Sequence, residues 1–260
     1  MSNDKSSSII KPTSKDVTFI IKRSNGPGFS SYWEEFQIPY YPNMNVVGAL
    51  MEIQKNPVNG KGEQTTPVTW ECNCLEEVCG ACTMIINGKA RQACSALVDK
   101  LTQPIRLAPL TKFPLVKDLV VDRRVMFDNL RKVKAWIKID GTYDMGPGPK
   151  IPPQVQEYTY ELSKCMTCGT CAESCPNVNE KSKFIGPAAI AQVDLVNSHP
   201  TGALMKEERL EALMGEGGIA ECGNAQNCAK ACPKGIPLTR SIARVNRQTS
   251  VYGIRSWLNR

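Results

Sequence analysis

The sequence predicts an α+β chain in two parts: a sheet domain over about residues 16–113, then an all-α domain over 114–260, with 1–15 as a disordered tail. Three observations carry this. Strand-period alternation and a hairpin signal lie in the first part, and helix-period runs dominate the second. The 12 cysteines of this 260-residue chain divide at the same place, Cys72 to Cys94 and Cys165 to Cys232.

The elements follow in order. Val17, Phe19 and Ile21 alternate with polar residues, as in a half-buried strand. Trp33 to Pro39 repeats the style less cleanly. Asn45 to Gln54 carries Val46, Val47, Leu50, Met51 and Ile53, which suits a short helix. Thr83 to Ile86 and Lys89 to Cys94 flank Asn87-Gly88, a strong hairpin turn. From about Phe113 the pattern turns helical, with Val125, Met126, Leu130, Val133 and Trp136 approximating one face. Asp140 to Pro153, rich in Gly and Pro, is a loop. Helices are expected around Gln154 to Lys164, Pro187 to Asn197, Lys206 to Met214 and Pro237 to Arg247.

Composition excludes several classes. No run of about 18 or more apolar residues is present, so no membrane span is expected. Met1 to Asp16 is polar without an apolar core, unlike a signal peptide. A chain kept in a reducing compartment rarely uses cysteine for disulfides, so 12 thiols point to metal. The net charge of +7 is spread along the chain, which argues against nucleic acid as a partner. Its one concentrated segment, Leu238 to Arg260, holds Arg240, Arg244, Arg247, Arg255 and Arg260 and no acid. It reads as a solvated basic helix or as a contact with an anionic membrane face or acidic partner.

Cysteine spacing selects the metal. Cys74, Cys79, Cys82 and Cys94 form C-x4-C-x2-C-x11-C, whose start is the plant-type [2Fe–2S] spacing. Gly80 and Ala81 between close ligands let backbone amides face the sulfurs, and Cys94 is expected on the second hairpin strand. Cys72 is spare, a structural thiol. Cys165, Cys168, Cys171 and Cys175, followed by Pro176, form the bacterial run C-x2-C-x2-C-x3-C-P. Zinc usually takes paired CxxC elements across a spacer and fits this run badly.

In such runs the fourth cysteine serves the other cluster. The second run, Cys222, Cys228 and Cys232 before Pro233, has Ala225 where a second cysteine belongs. The exchange gives Cys165, Cys168, Cys171 and Cys232 to a [4Fe–4S] cluster. It leaves Cys175, Cys222 and Cys228 for a cluster short of one thiolate, read as [3Fe–4S]. Three redox centres in one small chain, two of them close neighbours because Cys171 and Cys175 serve different clusters, make an electron wire. No nucleotide-binding glycine motif and no Ser/His/Asp constellation accompanies them, so donor and acceptor are expected on other chains. The single His199, before Pro200, reads as a turn residue.

These motifs resemble the iron–sulfur subunit of succinate dehydrogenase (succinate:quinone oxidoreductase) and its sister fumarate reductase. The resemblance rests on Asn73-Cys74 to Gly80-Ala81-Cys82, the Cys165 to Pro176 run, Lys183-Phe184-Ile185-Gly186-Pro187 and Cys232-Pro233-Lys234-Gly235. Asn56-Pro57-Val58-Asn59 to Cys82 is similar to the Gram-positive bacterial form. The resemblance implies a β-grasp ferredoxin-like domain followed by an α-helical ferredoxin domain. It implies a flavoprotein partner with covalent FAD that oxidises succinate to fumarate. Electrons then pass through [2Fe–2S], [4Fe–4S] and [3Fe–4S] clusters to a quinone beside a haem-bearing membrane anchor. The chain alone is not expected to oxidise succinate. It is placed peripherally, on the cytoplasmic face of the bacterial membrane, held by the anchor.

Ubiquinone-linked relatives carry Trp shortly after the Cys-Pro and His directly after the next cluster cysteine. Here those places hold Asn177, Val178, Asn179 and Glu180, and Gly223. Of the ubiquinone contacts only Pro176 matches, which points to menaquinone. The alternatives are the same subunit in a quinol:fumarate reductase, which cysteine spacing does not distinguish, and a soluble multi-cluster ferredoxin-like carrier, which is commonly acidic.

Overall fold

In a computed structural model the chain is described over residues 16–138 and 149–259. The tail expected over 1–15 and most of the loop expected over Asp140–Pro153 lie outside the described residues. Alternation sets β1 (Asp16–Arg23), whose Val17, Phe19 and Ile21 are buried on one side. It pairs antiparallel with β2 (Tyr32–Pro39). The hairpin forms as expected: β3 (Thr83–Ile86) and β4 (Lys89–Gln92) are joined by Asn87 (φ 47) and Gly88 (φ 78), both left-handed. With β5 (Ile105–Ala108) the sheet order is β2-β1-β5-β3-β4, and β1 and β5 run parallel.

α1 (Val46–Lys55) packs Val46, Val47, Leu50 and Ile53 into the core shared with Phe19, Phe36, Met84 and Leu107. Asn45 caps it, its Oδ1 accepting from Gly48 N at 2.8 Å. A helix laid on a mixed five-stranded sheet with a central parallel pair is the β-grasp arrangement that the resemblance implies.

The helical pattern expected from Phe113 begins only at α2 (Arg124–Lys132). A short ribbon, β6 (Leu115–Lys117) and β7 (Val120–Val121), precedes it. Its turn carries Asp118, 2% exposed, which accepts from Ser24 N at 3.1 Å, Thr69 N at 2.9 Å and Arg23 Nε at 3.0 Å. Arg23, equally buried, also pairs with Glu34. Asp118→Ala leaves a buried guanidinium with one acid partner and two amides with none. The expected loss is about 3–5 kcal/mol, read as a lower urea midpoint for the sheet domain.

The remaining helices are α3 (Pro153–Ser163), α4 (Thr170–Glu173), α5 (Pro187–Ser198), α6 (Pro200–Ala203), α7 (Lys206–Met214), α8 (Asn227–Ala231) and α9 (Leu238–Leu258). α5 is buried on nearly every side. Its fully buried Asp194 accepts from the Tyr158 hydroxyl of α3 and from Arg244 Nε of α9 at 3.3 Å. Arg240 and Arg244 lie 4.5 and 4.6 Å from the Tyr158 ring centre. Part of the basic C-terminal segment is therefore used inward, contrary to a purely solvated reading. α9 also runs past Arg247 to Leu258; its last turns carry Val251, Ile254 and Trp257 outward, so no core periodicity marks them. Of the face expected around α2, Met126 and Val133 are buried, whereas Val125 and Trp136 are exposed.

Candidate metal centres

Cys74, Cys79 and Cys82 follow one another on the loop before β3. Leu75 (φ 60), Glu77 (φ 56) and Gly80 (φ 71) take left-handed conformations there. The loop curls so that Glu76 N, Val78 N and Cys79 N donate to Cys74 Sγ at 3.4, 3.3 and 3.3 Å. Ala81 N donates to Cys79 Sγ at 3.4 Å. Such a nest of amides suits anionic sulfur. The expectation for Cys94 needs correction: β4 ends at Gln92, so Cys94 lies just beyond the strand. Ala93 N still donates to Cys82 O at 3.1 Å, which keeps Cys94 beside Cys82. Cys72 is half-buried against the sheet core and borders the same thiols.

The amides pull the Cys74 thiol down to about 7, while burial pushes Cys82 up to about 12. Burial, then the neighbouring thiols, also raises Cys72. Thiolate grows as pH rises through each value, and the thiolate is both nucleophile and iron ligand. In metal-free chain, iodoacetamide should therefore label Cys74 with a midpoint near pH 7. Cys72 should lag to higher pH, as peptide mass analysis across a pH series would read.

In the helical part, Cys165, Cys168, Cys171 and Cys232 line one cavity, walled by Met126, Ala188, Ile236 and Leu238. Cys175, Cys222 and Cys228 line another, with Pro176, Phe184, Ala225 and Ile242. The fold thus brings together the crosswise groups that the run spacing predicts. Burial raises Cys171 well above an ordinary thiol, and Cys168, Cys165 and Cys232 add to it. Cys228 is raised by burial and then by Cys175 and Cys222. Charging such thiols unaided is costly, so they need a cation to stay ionised.

The two runs share a backbone signature. Thr167 (φ 53) and Gly169 (φ 91) bracket Cys168, and α4 begins directly after them. Asn224 (φ 52) and Gln226 (φ 61) bracket Ala225, and α8 begins directly after them. Ala225 therefore occupies the conformational place of Cys168.

All the candidate ligands are sulfur, which fits iron–sulfur clusters. Among the described residues no three His, Cys, Asp or Glu side chains converge as ligands of a single metal ion do. Zinc draws its sulfurs to about 2.3 Å from one point. A cluster instead takes thiolates at separate corners.

Sequence reasoning missed several supports. Asn45 Nδ2 donates to Cys94 O at 2.8 Å, so the cap of α1 also holds a candidate ligand. Glu173 accepts from Thr111 N at 2.9 Å, Thr111 Oγ1 at 2.6 Å and Lys112 N at 3.0 Å, tying α4 to the chain that leaves the sheet. Thr170 Oγ1 lies 3.3 Å from Cys168 Sγ. Arg123 donates to Gly80 O and Ala81 O. Only Asn45 carried a local signal, its place before an apolar-periodic run. His199 accepts from Thr201 N at 3.2 Å through Nδ1 and opens α6, a turn residue as expected.

A family model described as a 2Fe-2S iron-sulfur cluster binding domain matches residues 18–128. One described as a 4Fe-4S dicluster domain matches residues 161–236. The succinate dehydrogenase iron-sulfur subunit of Bacillus subtilis (strain 168) is 65% identical over 243 residues, covering 94% of this chain and 96% of that protein. The fumarate reductase iron-sulfur subunit of Escherichia coli O157:H7 is 28% identical over 83% of this chain and 85% of its own. A chain in the structure titled "Mycobacterium smegmatis Sdh1 complex in the apo form" shares the fold, with a TM-score of 0.74 at 21% identity, over 91% of this chain and 96% of that one.

Proposed function

The chain belongs to the family of succinate dehydrogenase and fumarate reductase iron–sulfur subunits, and from that premise we propose that it conducts electrons within a succinate dehydrogenase. The identity of 65% to a succinate dehydrogenase subunit, against 28% to a fumarate reductase subunit, favours succinate oxidation as the direction. Iron–sulfur clusters, when bound, take up and release single electrons. Cys74, Cys79, Cys82 and Cys94 hold [2Fe–2S]. Cys165, Cys168, Cys171 and Cys232 hold [4Fe–4S]. Cys175, Cys222 and Cys228 hold [3Fe–4S]. The observation that carries the reading is the crosswise gathering of Cys232 and Cys175 into each other's cavities.

Two surfaces fit the ends of the path. Leu75 and Val78, 49% and 57% exposed, stand beside the first cysteine set and suit docking of an FAD-bearing flavoprotein. The loop over residues 223–226 is exposed beside the third set and suits electron exit to a quinone at a haem-bearing anchor subunit. A Cβ on Gly223 would meet Asn177 Oδ1 at 2.9 Å. Asn177, its Nδ2 donating to Glu221 O at 2.9 Å, thus fills the space that a quinone-contacting histidine would need. That favours menaquinone bound mainly by the anchor. No helix among the described residues is long and apolar enough to cross a membrane. Attachment to the cytoplasmic face through the anchor follows from the family reading.

Reductive EPR titration of the assembled complex tests the proposal. A [3Fe–4S] signal is expected in the oxidised state and a [2Fe–2S] signal on reduction, with [4Fe–4S] as a third, separate component. Full iron and sulfide with only two cluster types would overturn the assignment.

A further inference from the structure

Gly80, between the candidate ligands Cys79 and Cys82, lies against a ligand of the second set. A Cβ built on Gly80 would stand 2.7 Å from Cβ and 2.9 Å from Cα of Cys168, and 3.1 Å from Met166 O. Real Cβ atoms essentially never approach within 3.0 Å, so only glycine permits this packing. Its φ of 71 adds a backbone cost for any other residue.

The contact is fixed from both sides. Gly80 O accepts from Thr83 N at 3.3 Å, from Thr83 Oγ1 at 2.7 Å and from Arg123 Nη1. Arg123 Nη2 adds Ala81 O at 3.3 Å. Across the contact, Glu173 holds the α4 segment through Thr111 and Lys112. Folding alone would need tight packing somewhere between the two domains. It would not need that packing to fall between ligand loops of two different sets.

We propose that Gly80, held by Arg123, is the positioning residue that sets the electron path from the first cysteine set to the second. This rests on the proposed function. One electron leaves the centre at Cys74, Cys79, Cys82 and Cys94, which is oxidised, and enters the centre at Cys165, Cys168, Cys171 and Cys232, which is reduced. No bond breaks and no proton moves. Transfer between fixed centres weakens steeply with the gap between them, and a side chain on residue 80 must widen that gap.

The test uses the assembled complex carrying Gly80→Ala, Arg123→Gln or Arg123→Lys, with iron and sulfide measured in each. Gly80→Ala is expected to leave both midpoint potentials in place. It should weaken the relaxation of the first centre's EPR signal by the reduced second centre, and slow freeze-quenched reduction of the second centre several-fold. Arg123→Gln should act in the same direction, and Arg123→Lys, which keeps a charged donor, should fall between it and the unaltered protein. If Gly80→Ala does not load its clusters, the Arg123 pair decides. Loaded Arg123→Gln or Gly80→Ala with unaltered relaxation and transfer rate overturns the inference. Absence of clusters from the unaltered complex would instead overturn the proposed function.

Discussion

Replacing Cys232 by Ser should remove the centre at Cys165, Cys168 and Cys171 and spare the one at Cys222 and Cys228, although Cys232 belongs to the latter's run. The expectation follows from the cavities. Cys232 faces Cys165, Cys168 and Cys171, whereas Cys228 faces Cys175 and Cys222. By analogy with structural zinc, where four ligands supply about 10–16 kcal/mol, losing one costs roughly 3 kcal/mol or more. Burial magnifies the effect, because Cys171, 9% exposed, has little water to solvate its charge once the cluster is lost. Quinone reduction by succinate should collapse while the oxidised three-iron EPR signal persists in isolated membranes. The mirror variant, Cys175→Ser, should remove the three-iron signal and spare the four-iron one. If each substitution instead destroys the centre of its own run, the crosswise assignment is wrong.

The grouping of the cysteines was legible because thiolate spacing is local chemistry, and the structure gathers the same residues into the same cavities. The strands and the hairpin were legible for the same reason, since alternation and Asn87-Gly88 act over a few residues. What stayed hidden depends on partners far away in sequence. Asp118 is an ordinary turn residue until Arg23, Ser24 and Thr69 surround it. Arg123 carries no sign that it will reach Gly80 and Ala81. The ribbon at 115–121 is too short to show a period, so its residues merged with the helical pattern behind them. Only the part of α9 up to Arg247 shows a core period, because the apolar residues beyond it face outward. Trp136 is no core position because α2 ends at Lys132 and its face does not continue, whereas Val125 lies within α2 on a side that stays exposed.

Ala225→Cys should convert the third centre from three irons to four. Ala225 lines the cavity with Cys175, Cys222 and Cys228, and a methyl group cannot ligate iron. Its backbone already matches that of Cys168, bracketed by Asn224 and Gln226 as Cys168 is by Thr167 and Gly169. A thiol at 225 therefore leaves the chain in the direction that serves a cluster in the first run. The loop is exposed, so the added sulfur displaces little core, and its packing cost falls below the about 1–3 kcal/mol typical of overpacked sites. The added thiolate changes both cluster type and charge, which together set potential. The oxidised three-iron signal should vanish, a reduced four-iron signal should replace it, and delivery of electrons to quinone should slow as the centre's potential falls. Redox titration of membranes followed by EPR reads all three. A folded Ala225→Cys complex that keeps its three-iron signal unchanged would show that residue 225 does not occupy the fourth corner, whatever its backbone shares with Cys168.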